Sequence, residues 1–476
     1  MSDEELCYLS ATEALGRFRA RKLSPVELMQ AVIARSDKVD PKINAFPIKH
    51  YDRALQQAKQ AEARYMRTDG RLRPLDGLPV AVKDEAYVKG ERVTFGSLIY
   101  KDFVADETNP SIGRVLRAGA IMHARSATPE FSCAPWTHSR LWGVTRTPWN
   151  LQYSCGGSSG GSGAGLAAGI TPLASGSDIG GSIRIPASMC GVVGFKPPFG
   201  RNPDSPPFNL DQYCHIGPMA RTVADCALLQ NVMSGPHPED IVSLRPKLRI
   251  PAALGDIKGW RIALCLNPAQ YDIDPDVTKN TAAAAELFCS AGATVEEVDL
   301  GWRRDDVVAA AAAHFGTIFA PQVARYAKKH RKIMTDYALD FADWSKSTRK
   351  EDYLRGLEIE TAMYKSLGAL FRTYRILLCP TLPLPATKAG ESYVKRQLRI
   401  NGKPQGRIEN WLMTICFNIM SRCPVVSMPS GLAANGVPTG LSVVGRTYDD
   451  VSVFRAAAAY ERERPWYRTA ALRPKL

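Results

Sequence analysis

Two glycine-rich segments that carry serines are the parts of this chain whose residue types best suit chemistry. The first runs from Cys155 to Gly165 with the letters CGGSSGGSGAG, and the second from Asp178 to Pro186 with the letters DIGGSIRIP. The glycine pair before Ser182 lets backbone N–H groups converge on one point, where such donors can hold an oxyanion. We therefore expect Ser182 to lie beside its own oxyanion hole.

A serine nucleophile also needs a base, and Lys83 can supply it. Lys83 follows a short apolar run, Leu78 to Val82, which predicts a buried strand. A lysine in water, with a pKa of about 10.4, is almost fully protonated at neutral pH. Burial disfavours the charged form and can make the amine a usable base. Taken alone, Lys83 and Asp84 would be interpreted as a surface ion pair, so this hypothesis depends on the two serine segments.

The first glycine-rich segment allows other interpretations. A flexible linker is disfavoured because the apolar stretch Leu166 to Ile170 follows at once. A phosphate-binding loop is disfavoured because no lysine follows the glycines. A loose dinucleotide-binding pattern is present from Gly163 to Ala168, but the preceding segment 147–153 has the composition of a loop and not of a strand.

A serine elbow of the α/β-hydrolase type is the third alternative. Gly156-x-Ser158-x-Gly160 matches its pattern, which requires an acid and then a histidine further along the chain. No histidine follows His330 in the 476-residue sequence, and the earlier histidines lie in no supporting motif. A Ser-His-Asp arrangement is therefore disfavoured.

The elements that must position these residues indicate an α/β fold. Short buried strands are predicted at 78–82, 121–124 and 376–379, and helices at 111–120 and 277–291. Such alternation favours parallel pairing. We predict one large α/β domain with a central mixed, largely parallel β-sheet covered by helices on both faces.

Within this single domain, spanning 1–476, the sequence suggests four parts. They are an N-terminal helical segment (1–65), a catalytic core (66–245), a helical insertion region with further strands (246–420), and C-terminal strands and a helix (421–476).

Composition excludes several classes of protein. Hydrophobic residues make up 45% and charged residues 23%, which is typical of a globular chain and not of a disordered one. The net charge of +14 comes from scattered basic residues, so we expect no nucleic-acid partner. Eleven cysteines without a CxxC pair predict neither a zinc site nor a disulfide framework. No secretory signal or membrane-length apolar stretch is visible, so a cytoplasmic location is expected.

Taken together, these segments resemble the signature motifs of the amidase signature family. The resemblance rests on four ordered segments: LPVAVKD at 78–84, GGSSGG at 156–161, GSDIGGSIRIP at 176–186 and GVVGFKP at 191–197. It extends over roughly 10–468 and is weakest between 300 and 420.

The resemblance implies a catalytic triad of Lys83, Ser158 and Ser182. Ser182 would be the nucleophile, and Ser158, which would follow a cis peptide bond from Gly157, would pass its proton to Lys83. Water would then hydrolyse the acyl-enzyme. This chemistry requires no metal or organic cofactor. The oxyanion hole would be formed by the backbone N–H groups of Ile179, Gly180, Gly181 and Ser182.

Further residues receive supporting roles. Ser159, Asp178 and Arg184 are expected to stand behind the triad and fix its loops, the last two through charge-assisted hydrogen bonds. Ser132 is a candidate contact for the substrate amide, with a plain loop residue as the alternative. Two aromatic residues, Phe131 and Trp136, are candidates for an apolar acyl pocket, although such rings more often belong to the core.

The function implied is an amidohydrolase acting alone on a small carboxamide, with a homodimer as the oligomeric state common in the family. A second interpretation is the glutamine-hydrolysing subunit of a tRNA-dependent amidotransferase, which would need partner chains and tRNA. A third, from a different class, is a non-catalytic binding subunit.

Overall fold

An eleven-stranded sheet forms the centre of the computed structural model, which describes residues 2–67 and 72–476. Across the sheet the strands follow the order β1-β3-β2-β6-β8-β7-β14-β15-β11-β9-β10, and the remaining four form two small hairpins. The strands are β1 (Ile48–Lys49), β2 (Pro79–Lys83), β3 (Ile121–Ser126), β4 (His138–Ser139), β5 (Gly143–Val144), β6 (Leu173–Asp178), β7 (Val193–Lys196), β8 (His215–Ala220), β9 (Arg261–Leu264), β10 (Thr294–Glu297), β11 (Ile376–Pro380), β12 (Arg399–Ile400), β13 (Lys403–Pro404), β14 (Val425–Leu432) and β15 (Pro438–Gly445).

Helices connect and cover these strands. They are α1 (Asp3–Cys7), α2 (Ala11–Arg19), α3 (Pro25–Ile43), α4 (Tyr51–Met66), α5 (Pro110–Arg117), α6 (Gly160–Ala167), α7 (Arg184–Cys190), α8 (Val223–Met233), α9 (Pro275–Ser290), α10 (Arg304–Thr317), α11 (Ala320–His330), α12 (Asp336–Ser347), α13 (Lys350–Leu370), α14 (Cys416–Ile419) and α15 (Asp450–Glu463).

The expectation of a mixed sheet with helices on both faces is confirmed. Parallel pairing, which the alternation of strands and helices favoured, occurs between β2 and its neighbours β3 and β6, and between β9 and its neighbours β10 and β11. The middle of the sheet is antiparallel, from β6 through β8, β7, β14 and β15 to β11. The sequence did not indicate this antiparallel pairing, since β6 and β7 lie in the glycine-rich signature region, where apolar periodicity is weak.

Alternating side chains of the strands serve the two faces of the sheet. Val80 and Val82 of β2 join one apolar cluster, which packs under α2, α8, α9 and α15, whereas Ala81 between them joins another cluster with α6. This two-residue alternation is the expected consequence of strand geometry. Strand β2 is therefore buried on both faces, and Lys83 at its end is held in a fixed position.

A helical layer made by α10, α11, α12 and α13 covers the edge of the sheet where the signature loops lie. Phe315 of α10, together with Phe341 and Trp344 of α12, packs into a third apolar cluster with residues of the signature region. In the described part of the chain, no single helix has the length and hydrophobicity to cross a membrane. The consecutive helices α10 and α11, bent by 52°, meet that test only as a pair and only by length and composition.

Helix α6 approaches the backbone that follows β3 so closely that only glycine fits at position 161. A Cβ on Gly161 would overlap the backbone of Ala127 and of Ala45, and backbone atoms cannot move aside as a flexible side chain can.

We therefore predict that Gly161→Ala destabilises the fold by roughly 1–3 kcal/mol, as overpacking does. Gly16→Ala in the exposed centre of α2 is the matched control, because a Cβ there has nothing within 4 Å; it is expected to stabilise by up to about 1 kcal/mol. Thermal unfolding of the two variants measures both effects, and equal melting temperatures would contradict the packing argument.

Candidate active site

Neighbouring parallel strands bring the predicted catalytic segments to one edge of the sheet. Lys83 is the last residue of β2 and Asp178 the last residue of β6, and these strands pair in parallel. The loop that follows β6 carries Ser182, and the loop that enters α6 carries Ser158. Because parallel strands end on the same side of a sheet, residues far apart in sequence meet here.

The Lys83 amine lies at the centre of this arrangement and is almost fully buried, with 1% exposure. Its Nζ donates to the hydroxyl of Ser158 at 2.6 Å and to that of Ser177 at 2.8 Å. A carboxylate oxygen of Glu85 lies 3.1 Å away. Burial lowers the pKa of Lys83 below its usual value, while the negative charge of Glu85 acts in the opposite direction. The amine is therefore more easily deprotonated than a lysine in water.

The loop that carries Ser158 is fitted against neighbouring backbone. The peptide bond from Gly157 to Ser158 is cis, and a Cβ on Gly157 would lie 2.6 Å from the carbonyl oxygen of Trp136. The N–H of Ser159 donates to the carbonyl of Ser182 at 3.1 Å. This bond joins the two serine loops directly.

The Ser182 hydroxyl has no hydrogen-bond partner among the residues that the structure describes, and Ser182 retains 7% exposure. The side chains of Ser158 and Lys83 are thus hydrogen-bonded to each other. Ser182 is connected to this pair through its backbone carbonyl, which accepts from the N–H of Ser159. Catalytic hydrogen bonds are often long or poorly aligned before substrate binds.

A buried ion pair holds the shape of the Ser182 loop. The carboxylate of Asp178 accepts from the guanidinium of Arg184 at 2.8 and 2.9 Å and from the side-chain amide of Asn418 at 2.8 Å. Both charged groups are completely buried. Burial by itself raises the pKa of Asp178, but the positive charge of Arg184 outweighs it and holds that pKa well below its usual range. Asp178 therefore remains ionised, and the pair stays formed.

The same carboxylate organises the backbone N–H groups of the loop. The N–H of Gly181 donates to Asp178 at 2.9 Å, so this donor is already occupied. Those of Ile179, Gly180 and Ser182 have no acceptor within residues 2–67 and 72–476. Gly181 adopts a positive φ of 121°, which a glycine tolerates.

Two cavities adjoin the site and meet at Ser132, Ile179 and Phe319, which line both. The smaller, about 50 Å³, contains Ser182 and is walled by mostly apolar side chains that include Phe315, Phe341, Trp344, Leu412 and Ile415. The larger, about 210 Å³, is lined by aromatic rings and by Glu85 and Asp204. An extended molecule could therefore occupy both cavities.

Of the three predicted substrate-binding residues, two line a cavity and one is buried in the core. Phe131 and Ser132 adopt consecutive left-handed conformations, with φ of 52° and 58°, and both line the larger cavity. Strained backbone of this kind is common where a side chain must be aimed at a site. Trp136 lines neither cavity, since its ring is buried against Tyr337 and Tyr393.

Several residues at the site were not found by sequence reasoning. Glu85 lies two positions after Lys83, in the turn that follows β2, where strand periodicity no longer applies. Thr414, whose hydroxyl donates to the carbonyl of Gly180 at 2.6 Å, and Asn418 lie in the tract where the sequence resemblance is weakest. No local signal in the sequence marked Thr414 or Asn418.

No group of three or more His, Cys, Asp or Glu side chains suited to a metal ion occurs in the described part of the chain.

Comparison with known proteins gives one consistent result. Residues 27–454 match the family described as Amidase. The chain is 32% identical to an acylamidase of Rhodococcus erythropolis, with 98% of each protein covered. It is also 32% identical to a glutamyl-tRNA(Gln) amidotransferase subunit of Geobacter metallireducens, covering 97% of this chain and 99% of that one. A bacterial aryl acylamidase belonging to the amidase signature enzymes has a crystal structure that superposes with a TM-score of 0.89 at 30% identity, covering 96% and 97% of the two chains.

The Asp178–Arg184 pair generates a prediction about stability. Asp178→Asn leaves the guanidinium of Arg184 buried without its counter-charge, and breaking a buried pair in this way costs about 3–5 kcal/mol. We expect a clear fall in melting temperature. Asp102→Asn, which removes one partner of the exposed Lys101–Asp102 pair, is the control and should leave the melting temperature unchanged. Similar behaviour of the two variants would show that the buried pair does not support the loop.

Proposed function

The chain belongs to the amidase signature family, and from this membership we propose that it hydrolyses a carboxamide by itself through Lys83, Ser158 and Ser182. Its sequence and structural relatives make it an amidase. The observation that carries the finer proposal is the buried hydrogen bond of 2.6 Å between Lys83 and Ser158, joined to the Ser182 loop through Ser159.

In the first step, the hydroxyl oxygen of Ser182 attacks the amide carbonyl carbon. Its proton passes to the oxygen of Ser158, whose own proton passes to the neutral amine of Lys83. The carbonyl oxygen becomes an oxyanion. We assign its stabilisation to the backbone N–H groups of Ile179, Gly180 and Ser182, since these have no other acceptor among the described residues.

In the oxyanion hole that we propose, Gly181 has a different task from its neighbours. Its N–H donates to Asp178, and its backbone conformation turns the chain between Gly180 and Ser182. Preorganised donors need no rearrangement as charge develops. The occupied amide of Gly181 thus fixes the direction of the three free ones.

In the second step, the C–N bond breaks and the leaving nitrogen takes a proton from Ser158. Ser158 recovers a proton from the Lys83 ammonium, so the amine is neutral again. The acyl group is then an ester on Ser182. Water attacks this ester and gives one proton to the same Ser158–Lys83 relay. The C–O bond to Ser182 then breaks and the relay returns this proton to the Ser182 oxygen, which restores the free serine and the neutral amine. The product leaves as a carboxylic acid, which ionises in water.

Similarity to amidotransferase subunits favours one alternative function. Several glutamyl-tRNA(Gln) amidotransferase subunits are 30–32% identical to the chain over nearly its whole length. A protein of that kind would release ammonia from glutamine only with its partner chains. Hydrolysis of simple amides by the purified chain alone separates the two functions. The homodimer, the cytoplasmic location and the four-part division of the chain remain predictions.

Removing the nucleophile tests the proposed mechanism. Ser182→Ala is expected to lower kcat/KM for any amide substrate by at least about 10³-fold, since the acyl-enzyme can no longer form. The measurement is ammonia or amine release from a panel of aliphatic, aryl and amino-acid amides and glutamine. Ser290→Ala, at the exposed end of α9, is the control and should retain full activity. Substantial turnover by Ser182→Ala would remove Ser182 from the mechanism.

The contact between Glu85 and Lys83 predicts a pH effect. Lys83 acts as a base only when deprotonated, and the charge of Glu85 raises the pKa that burial lowers. Glu85→Gln removes this charge, so the pKa of Lys83 falls further and the acid limb of the kcat/KM profile moves to lower pH.

A pH–rate profile of both proteins measures this shift. Asp102→Asn removes an exposed negative charge and should leave the limb in place. A limb that moves to higher pH in Glu85→Gln would contradict the assignment of Lys83 as the base.

A further inference from the structure

We propose that the larger cavity binds a protonated amine, so that this amidohydrolase prefers amides carrying an alkylammonium group to neutral amides of the same shape. The inference rests on the proposed function, because it assumes that Ser182 is acylated beside this cavity. It goes further in naming the chemical class of one part of the substrate.

The cavity has two carboxylates and no basic side chain among the described residues that line it. Glu85 uses one oxygen, Oε2, for both Lys83 and Ser132. Asp204 likewise uses only Oδ1, which accepts from the side-chain amide of Asn109 at 2.6 Å and from the N–H of Ser205 at 2.8 Å. Neither Oε1 of Glu85 nor Oδ2 of Asp204 has a hydrogen-bond partner among the described residues. Each carboxylate therefore has an oxygen available to a donor in the cavity.

Before the proposed reaction begins, the negative charge of Glu85 is not compensated by Lys83. Lys83 is the cation nearest to Glu85, and it must be neutral to act as a base. Burial, with smaller contributions from the charges of Glu85 and Asp240, raises the pKa of Asp204 to about 6. At neutral pH Asp204 is thus still ionised in most molecules, in surroundings that favour neutralisation by a bound cation.

Aromatic rings form a large part of the remaining cavity wall. They are contributed by Tyr87, Phe95, Tyr100, Phe131, Phe208, Phe319 and Tyr326. The rings of Phe131 and Tyr326 are stacked at 4.9 Å, and the hydroxyl groups of Tyr100 and Tyr326 are hydrogen-bonded at 2.6 Å. Ring faces attract ammonium groups and also pack against methylene chains. A wall of rings with carboxylates among them suits an alkylammonium group better than a neutral polar group.

The position of the cavity connects this recognition to catalysis. Ser177, which accepts from Lys83, lines the larger cavity, and Ser132 and Ile179 separate it from the smaller cavity that contains Ser182. A substrate with its amide at Ser182 could thus extend past Ser132 and place an ammonium group between Glu85 and Asp204.

The test compares pairs of amides that differ only in the group at the end of an alkyl chain, which is ammonium in one compound and methyl in the other. The length of this spacer chain is varied, and the chain is placed on the acyl side of the amide in one series and on the amine side in another. For at least one spacer, the wild-type protein is expected to show a kcat/KM about tenfold or more higher for the ammonium compound, the effect of one charge-assisted hydrogen bond. In Asp204→Asn this ratio should fall about tenfold, whereas the control Asp102→Asn should keep it. Equal or faster hydrolysis of the methyl compounds over the whole series would overturn the inference, as would an unchanged ratio in Asp204→Asn.

A second measurement keeps the inference testable if Asp204→Asn does not fold. Calorimetric titration of the wild-type protein with n-butylammonium should show saturable binding that n-butanol does not show, and absence of such a difference would overturn the inference. Loss of all amide turnover in the wild-type protein would instead count against the proposed function. Failure of the function and failure of the inference are thus distinguishable.

Discussion

Burial of one amine, that of Lys83, is the constraint on which the candidate site depends. An unpaired ammonium group is costly in the interior, so its neutral form is favoured there. The buried strand β2 removes the amine from water, and the hydroxyl groups of Ser158 and Ser177 satisfy its hydrogen bonds. Glu85 partly opposes this lowering of the Lys83 pKa, because its nearby negative charge favours the ammonium form. The balance between burial and this charge sets the proton affinity of the proposed base.

The Ser182 loop is held by a different device, a buried network whose parts come from distant regions of the chain. Asp178 lies at the end of β6, Arg184 begins α7, and Asn418 lies in α14. The carboxylate of Asp178 also accepts from Gly181 within the loop. A charge pair in the interior contributes little net stability compared with apolar packing, but it fixes geometry once every member is satisfied. Here the geometry concerned is the direction of the free N–H groups beside Ser182.

The two cavities differ in how their carboxylates are paired. The one that contains Ser182 is walled mostly by apolar side chains of α10, α12 and the tract before β14, and the two carboxylates in its lining, Asp340 and Glu409, both pair with Arg407. The other combines rings with Glu85 and Asp204 and has no basic side chain among the described residues that line it. The loop that carries Phe131 and Ser132 separates them, and its left-handed backbone gives it a definite shape. Differences in specificity between this chain and its relatives are therefore expected to arise in these walls, while the lysine and the two serines can be shared.

The motifs around Lys83, Ser158 and Ser182 were recognisable from sequence because the chemistry requires particular residue types in short segments. Glycines next to serines, and a lysine after an apolar strand, are local patterns. The strands β2, β3, β9 and β11 were predictable for a similar reason, since apolar runs report burial. By contrast, β6 in the antiparallel part of the sheet has the letters LASGSD, which show no clear apolar periodicity.

Tertiary structure alone decided which residues surround these motifs. Trp136 looked suitable for a pocket, yet it packs inside the core. Thr414 and Asn418 reach the Ser182 loop from more than 200 positions away in sequence. Likewise, Asp204 faces Glu85 only because separate loops meet at one sheet edge. The sequence alone therefore determined the proposed reacting groups, whose identity is local. The burial, charge and shape around them were decided by the fold, because they depend on contacts between distant segments.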